Sequence, residues 1–423
     1  MKFISLQTNV GRLTRHSLGN LKLKNKQSKD IAYLLNINYI KPNVYLSVSV
    51  SAFISPKLQN NQYGTLFKVY LNLSKMKPNN LIGFPYSHLQ EFLLVHGIKP
   101  YRAHQIFVWV YHHKLYDFER MSNLSKVLRT LLKEHFYISL PLIRTRTKSQ
   151  DGSIKYLFEL KDGLTIESVW MPTDQRKTLC ISSQVGCRLA CAFCMTGTMG
   201  LKRNLSSDEI IGQYLAVNDS LPEENQVTNI VFMGMGEPLD NYDATIDAIR
   251  LMIMPEALRL SSRKITLSTA GQVDLIQKFK NEDLHVNLAI SLNATDNETR
   301  EEIMPINKKY PIEELINCLR EYPLKPSRRF TFEYVMLAGI NDRDEDARRL
   351  SKLLHGIPCK VNLILFNKFS PSKFEPPSKE RAHSFQQYLL SKNHTVFIRQ
   401  NRATDILGAC GQLATQPLSP ASV

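Results

Sequence analysis

Three cysteines stand close together in the chain, at Cys187, Cys191 and Cys194, in the spacing C-x3-C-x2-C. Thiolates at this spacing on one loop can bind three irons of a cubane iron–sulfur cluster and leave the fourth iron open to a second molecule. A structural zinc ion normally takes four ligands, and the only further cysteine nearby in the sequence is Cys180. The spacing therefore favours a cluster, while a zinc site and a group of buried thiols stay open as alternatives.

Short polar sites follow several apolar stretches farther along the chain. Gly236 allows a ligand to approach the backbone closely, and Glu237 can accept hydrogen bonds from an ammonium group. The other sites of this kind are Ser268, Ser291 with Leu292 and Asn293, and Asn367. Each is uninformative alone, because small polar residues often end strands. If the strands are parallel, all these sites meet at one rim beside the cysteine loop, where we expect them to bind one cofactor.

Three further residues are candidates whose chemistry depends on the fold. Cys410 is surrounded by small residues in the stretch 409–412, which would let its thiol approach a substrate. A lone cysteine near the end of a chain is nevertheless often inert. Cys180 lies seven residues before the first cysteine of the motif. Glu167 lies on a predicted strand, and from the residues alone we interpret it as an exposed carboxylate.

From Thr178 onward, apolar stretches with the length of strands alternate with stretches that have the period of amphipathic helices. Strands are predicted at 178–183, 229–233, 264–268, 285–291, 330–336 and 360–366, with a seventh candidate at 395–400. Helices are predicted at 208–217, 243–252, 273–280, 312–320 and 344–354, the last capped by Asp342. Such alternation predicts an α/β fold with parallel strands and right-handed crossovers, here a partial TIM-type (βα)6 barrel.

The predicted domains differ in composition. In chain order they are a basic, poorly structured N-terminal extension or mis-annotated start at 1–80, a small helical accessory domain at 84–140, a strand linker at 141–172, the barrel with a C-terminal cysteine loop at 173–415, and a tail at 416–423. The helices of the accessory domain are predicted at 86–95, 102–113 and 123–135. Three of its basic residues, Lys99, Arg102 and Lys114, are candidates for contact with RNA phosphates, although they also suit an ordinary solvated rim.

The positive charge is concentrated at the N-terminus. Residues 1–80 hold 12 lysines and arginines and one acid, Asp30, and so carry +11 of the net charge of +16. Three alternatives stay open for residues 1–75: a flexible basic extension, a translated upstream region with Met76 as the working start, or an organelle transit peptide. No apolar run reaches the length of a membrane span, which predicts no membrane partner, and seven cysteines do not suggest a disulfide framework.

Several segments together resemble the RlmN family of dual-specificity RNA methyltransferases, which belongs to the radical S-adenosylmethionine (SAM) superfamily. These segments are 178–187, the cysteine motif itself, 234–238, 305–310 and 409–413, with 99–105 in the helical region. The resemblance covers residues 84–415 and implies a radical SAM barrel.

The resemblance implies methylation of C2 of an adenosine in 23S ribosomal RNA, at the peptidyl transferase centre, and of the adenosine next to the anticodon in transfer RNAs. The alternative is a C8-specific adenine methyltransferase of the Cfr type, a sister family with similar cysteine chemistry. The resemblance also implies one [4Fe-4S] cluster per chain on Cys187, Cys191 and Cys194. By the same likeness the polar strand-end sites contact SAM, and two SAM molecules are consumed per turnover.

The remaining roles are also implied by the resemblance. Cys410 receives a methyl group from one SAM, and a radical made from a second SAM takes a hydrogen from that methyl group. Glu167 resembles the base that removes the ring proton, and Cys180 attacks Cys410 to form a disulfide and free the product. The expected partners are 23S rRNA, tRNA and an electron donor such as flavodoxin. We expect a monomer in the cytoplasm, or in an organelle if residues 1–75 are a transit peptide.

Overall fold

The computed structural model describes residues 7–10, 31–38, 46–54, 78–370 and 372–415. The described residues before 77 belong to one of two units in the chain. They are the strands β1 (Gln7–Val10), β2 (Ile31–Asn38) and β3 (Leu46–Ile54), which pair antiparallel in the order β1-β3-β2. Most of the extension predicted at 1–80, and the tail predicted at 416–423, lie outside the described residues, so those assignments stay predictions.

The second unit begins with a small, mainly helical region. Its elements are β4 (Asn79–Asn80), α1 (Tyr86–Val95), α2 (Arg102–Phe107), a π-helical turn (Val108–His112), α3 (Lys126–His135) and β5 (Phe136–Tyr137). Phe92 and Phe136 are buried, and their rings meet edge to face at 5.0 Å. Ser125 begins α3, because its hydroxyl accepts a hydrogen bond from the Leu128 amide. The single helix predicted at 102–113 is divided between α2 and the π-helical turn.

A ten-stranded sheet forms the body of this unit. Its parallel strands are β9 (Lys177–Cys180), β12 (Asn229–Phe232), β13 (Ile265–Thr269), β14 (Asn287–Ser291), β15 (Phe330–Met336), β16 (Cys359–Leu365) and β17 (Val396–Arg399). Antiparallel pairing adds β8 (Thr165–Pro172), β7 (Ile154–Glu159) and β6 (Leu142–Lys148) beyond β9. The segment predicted as a strand linker at 141–172 therefore lies within the sheet of the barrel.

Helices connect the parallel strands. They are α4 (Met195–Thr198), α5 (Ser207–Asp219), α6 (Tyr242–Ile253), α7 (Val273–Phe279), α8 (Asn297–Ile303), α9 (Ile312–Arg320), α10 (Asp344–Leu353) and α11 (Lys379–Ser391). The prediction that Asp342 caps α10 is wrong, because its Oδ1 accepts a hydrogen bond from the Gly339 amide in the preceding turn. Asp346, inside the helix, accepts from the Arg343 amide instead.

Alternation of strand and helix from β9 onward confirms the predicted α/β partial barrel, with the seventh candidate strand present as β17. Two short antiparallel strands, β10 (Gln184–Gly186) and β11 (Leu201–Asn204), stand apart from this sheet and enclose the cysteine motif. Among the described residues, no helix is long and apolar enough to cross a membrane.

Candidate active site

The cysteine motif lies on the loop between β10 and β11. Gly186 begins this loop with a φ of +77°, and a side chain there would place its Cβ 1.8 Å from the Gly200 carbonyl oxygen. The Cys187 amide donates a hydrogen bond to that same oxygen at 3.1 Å. At the other side, the Ala192 amide donates to the Ile303 carbonyl at the end of α8, at 2.9 Å. The loop is thus held at two points, on the hairpin and on α8.

Burial dominates the electrostatics of the three thiols in the motif. It raises the pKa of Cys187 to about 12 and lifts the pKa values of Cys191 and Cys194 above their ordinary range. Thiolates on the other two cysteines raise the pKa of Cys191 further, so the three side chains are close enough to interact. Three ionised thiolates at this place need a positively charged partner, which iron supplies.

Glu237 lies in the loop that follows β12, beside the end of β13. Its Oε2 accepts a hydrogen bond from the Ala270 amide at 2.9 Å, and its own amide donates to Gln184 Oε1 at 2.8 Å. Burial raises the pKa of Glu237 to about 7. Gly236 before it has a φ of +97°, and a Cβ there would meet the Gln184 backbone nitrogen at 2.8 Å. The backbone path that delivers the carboxylate therefore requires glycine at this position.

The other polar sites also lie at the C-terminal ends of parallel strands. They are Ser268 in β13, Ser291 with Leu292 and Asn293 at the end of β14, and Asn367 after β16. Asn293 Oδ1 accepts a hydrogen bond from the Val335 amide at 2.8 Å, while its amide nitrogen contacts Met304 Sδ at 3.1 Å. Asn367 Nδ2 donates to the Cys410 carbonyl at 3.2 Å. Asn293 thus links the ends of β14 and β15, and Asn367 links the rim to the C-terminal loop.

The C-terminal loop brings Cys410 close to the cysteine motif. The Met195 amide, directly after the motif, donates to the Gly411 carbonyl at 2.7 Å. Cys410 is exposed at the surface, and the protein atoms packed around its thiol raise the pKa of that thiol to about 11. Cys180 ends β9 and is buried, and its pKa is raised by burial and by the Cys410 thiolate. The two cysteines are therefore near enough for the charge of one to affect the other, although they are far apart in the sequence.

Glu167 on β8 contacts the same C-terminal loop. It is only 5% exposed, so the interpretation from the residues alone, an exposed strand carboxylate, is wrong. Its Oε1 lies 3.0 Å from Lys155 Nζ, and its Oε2 accepts a hydrogen bond from the Ala414 amide at 3.1 Å. Burial raises the pKa of Glu167, and the Lys155 ammonium opposes that rise. A carboxylate whose pKa is raised by burial and lowered by a neighbouring ammonium group can both accept and release a proton.

Comparison with known proteins assigns the chain to a family. Residues 79–138 match the model of the ribosomal RNA large subunit methyltransferase N-terminal domain, and residues 181–351 match that of the radical SAM superfamily. The dual-specificity RNA methyltransferase RlmN of Syntrophotalea carbinolica is 48% identical over 335 residues, which are 79% of this chain and 89% of that protein. The chain belongs to the RlmN family.

Another RlmN relative and a solved structure support the same family assignment. The dual-specificity RNA methyltransferase RlmN of Geobacter sulfurreducens is 48% identical over 331 residues, 78% of this chain and 91% of that protein. A crystal structure of a radical SAM methyltransferase from Sphaerobacter thermophilus matches with a TM-score of 0.75 and 40% identity, over 79% of this chain and 99% of that chain. The predicted family and the radical SAM barrel are thereby confirmed.

The residues present fit the groups that radical SAM enzymes of this family carry. Three soft thiolates are the ligands that iron takes in a cubane cluster. Among the described residues, no three cysteine, histidine or carboxylate side chains converge on a single metal ion, and thiolates that each bind a different iron need no such convergence. Glu237 offers a buried acceptor to the ammonium group of SAM, and an ammonium there would oppose the rise in its pKa.

Three charged residues near the candidate site of this RlmN-family chain were not predicted from the sequence. Glu333 on β15 is buried, which raises its pKa, and its Oε1 accepts from Asn362 Nδ2 at 2.8 Å. A charged Glu333 raises the pKa of Cys410 while Arg399 lowers it, so both charges lie near that thiol. Arg300 on α8 is fully buried. Glu333 could have been found, because a carboxylate within a largely apolar strand requires a partner or a function.

Proposed function

We propose that this chain methylates C2 of adenosine in 23S ribosomal RNA and next to the anticodon in transfer RNA, through a methylated Cys410. The observation that supports the proposal is the position of Cys410, whose loop accepts a hydrogen bond from the residue directly after the three-cysteine motif. The buried Cys180 is near enough for the Cys410 charge to raise its pKa. A radical SAM enzyme that handles a protein or a small molecule has no need of this pair. The RlmN names of the relatives favour C2 over the C8 alternative.

The chemistry explains why two extra cysteines are needed. An aromatic C2–H is not nucleophilic, so ordinary transfer of a methyl group to it fails. When bound, one [4Fe-4S] cluster and two SAM molecules per turnover supply a methyl group and a hydrogen-abstracting radical. Cys410 carries the methyl group, and its carbon becomes bonded to the base. The resulting link between sulfur and RNA must then be broken.

Residues of the chain complete the reaction. Glu167 accepts the ring proton, and its balance of burial against Lys155 keeps it able to do so. The radical that addition leaves on the base would give up one electron to the external carrier that reduces the cluster. The Cys180 thiolate then attacks the Cys410 sulfur, and the sulfur–carbon bond breaks with its electron pair on the carbon. That carbon takes up one proton and becomes the methyl group of the product. Because this step leaves a disulfide, a thiol reductant must reopen the pair before the next turnover. An electron donor such as flavodoxin would serve the cluster.

The helical region is proposed to contact RNA together with the rim of the barrel. Lys99 is exposed, and the Arg102 guanidinium lies 5.0 Å from the centre of the Tyr101 ring. Lys114 Nζ lies 3.2 Å from Asp219 Oδ1, a partly exposed pair that phosphate can replace. These three cations therefore support an electrostatic contact with the RNA backbone. The monomeric state and the cytoplasmic location stay predictions.

The proposal is tested with two cysteine variants. Cys180→Ala should accumulate a covalent protein–RNA adduct during expression, because the carbon bonded to the base stays attached to Cys410. Cys410→Ala should give no adduct. Denaturing gels before and after nuclease treatment detect the adduct, and mass spectrometry of RNA digests from a complemented deletion strain measures 2-methyladenosine. A Cys180→Ala protein that is free of RNA and turns over fully would refute the resolving role and with it the covalent route.

A further inference from the structure

Arg300 on α8 has an unusual environment for an arginine. Its side chain is fully buried. The guanidinium donates hydrogen bonds to the carbonyls of Ala270 (2.7 Å), Leu292 (3.0 Å), Ser291 (3.4 Å) and Tyr310 (3.4 Å), and to Asn307 Oδ1 (3.0 Å). Every one of these acceptors is electrically neutral. Within the described part of the chain, no carboxylate lies at ion-pair distance from Arg300.

A buried cation without a counter-ion is destabilising, because transfer of a charge out of water is strongly unfavourable unless an opposite charge compensates it. Burial accordingly lowers the pKa of Arg300 to about 10. Apolar packing would suit this position better if no negative group belonged there. The position of the missing negative group follows from the elements that pack against α8.

The cysteine motif lies directly against the element that carries Arg300. One turn after Arg300, the Ile303 carbonyl accepts the hydrogen bond from Ala192 within the motif, at 2.9 Å. Ile303 and Ala270 pack in one apolar group with Cys187 and Phe193, and Cys191 packs against that group. Arg300 Nη2 is bonded to the Ala270 carbonyl. The guanidinium is thus held by three different elements, and α8 itself is hydrogen-bonded to the motif.

We infer that Arg300 is the buried counter-charge of the iron–sulfur cluster, a positioning residue that stabilises the reduced cluster and raises its reduction potential. The inference rests on the proposed cluster at Cys187, Cys191 and Cys194, and not on the RNA chemistry that follows. A cubane core with three thiolates carries one net negative charge when oxidised and two after it accepts one electron from an external low-potential donor. A nearby fixed cation favours the second state over the first.

The expected effect follows from Coulomb's law. At an effective dielectric constant of about 20, loss of a unit charge several ångströms away changes the ratio of reduced to oxidised cluster by about tenfold or more. For a one-electron couple, tenfold corresponds to about 59 mV. Loss of the Arg300 charge should therefore lower the midpoint potential by at least about 59 mV.

The experiment compares three variants of the anaerobically reconstituted, full-length protein without SAM or RNA. Arg300→Gln removes the charge and keeps hydrogen-bond donors, while Arg300→Lys keeps the charge. Asn307→Asp leaves the guanidinium in place and puts a negative charge on one of its acceptors, and it also removes the two hydrogen bonds that Asn307 Nδ2 donates to Asn297. Midpoint potentials come from dithionite titrations followed by electron paramagnetic resonance, after iron and sulfide content have been measured.

Lower midpoint potentials in Arg300→Gln and Asn307→Asp, with a nearly parental value in Arg300→Lys, support the inference. An unchanged potential in either neutralising variant overturns it, as does an equal fall in Arg300→Lys. If Arg300→Gln does not fold, the midpoint potential of Asn307→Asp alone tests the inference. Loss of iron from both variants would show that Arg300 has a purely structural role and would overturn the inference. Because the readout needs no RNA, failure of this inference is distinguishable from failure of the adduct test on Cys180→Ala.

Discussion

Replacement of Lys155 by methionine should leave Glu167 buried without its counter-ion. The two side chains are 3.0 Å apart, with 18% of the lysine side chain and 6% of the glutamate side chain exposed. Burial already raises the pKa of Glu167, and Lys155 is the strongest influence that opposes it. Without the ammonium group the pKa of Glu167 rises further. A smaller fraction of the carboxylate is then ionised at neutral pH and able to accept a proton.

The effect on stability can be worked out from the same contact. Loss of one partner of a buried ion pair destabilises a protein by about 3–5 kcal/mol. Solvent reaches part of Lys155, so we expect the lower end, about 3 kcal/mol. Because the folded-state pKa of Glu167 lies above its unfolded value, the folded state binds more protons, and its stability falls as pH rises through the folded pKa. The free energies of unfolding of the parent and of Lys155→Met should therefore be similar in acid and should diverge as pH rises.

The assay measures methylation of an RNA transcript across mildly acidic to alkaline pH, with Lys155→Arg as the matched control. For Lys155→Met, the rising limb of the rate should move to higher pH and the rate should recover in alkali, while Lys155→Arg follows the parent. Anaerobic denaturant unfolding at both ends of the range gives the stability difference. A pH profile identical to the parent, with Glu167→Gln inactive, would refute the reasoning that Lys155 controls the protonation of Glu167.

Three further predictions concern other parts of the site. Cys191→Ala should lose the cluster and with it reductive SAM cleavage, and production of deoxyadenosine by an iron-loaded variant would contradict the ligand assignment. Joint replacement of Lys99, Arg102 and Lys114 by alanine should flatten the salt dependence of RNA binding, by roughly 0.7–0.9 in log affinity against log salt for each lost phosphate contact. An unchanged slope would place the RNA surface elsewhere. Gln213→Leu should lower the free energy of unfolding by about 3 kcal/mol in denaturant titrations, because this buried amide binds both backbone groups of Ser182. A change of about 0.5 kcal/mol or less, the usual size for a surface substitution, would exclude that role.

Local sequence patterns were sufficient to predict much of the fold and of the candidate site. The spacing of Cys187, Cys191 and Cys194 depends only on neighbouring residues, and it predicted the ligand loop that β10 and β11 enclose. The alternation of strand and helix periods predicted the barrel, because each period reflects one face that must be buried. Parallel strands then placed Glu237 and Asn367 at one rim without any further information.

Tertiary structure decided which side chains are buried and which ones meet. From the sequence, Glu167 is interpreted as an ordinary strand carboxylate. In the structure, β7 places Lys155 beside it and the C-terminal loop covers it. The segment predicted as a strand linker at 141–172 is part of the barrel sheet, because β8 pairs antiparallel with β9. The periodicity of the sequence does not predict this pairing. The neutral surroundings of Arg300 likewise come from three separate strand and loop ends. Periodicity reports which face of an element is apolar, whereas the partner of a buried charge depends on contacts between residues far apart in the chain.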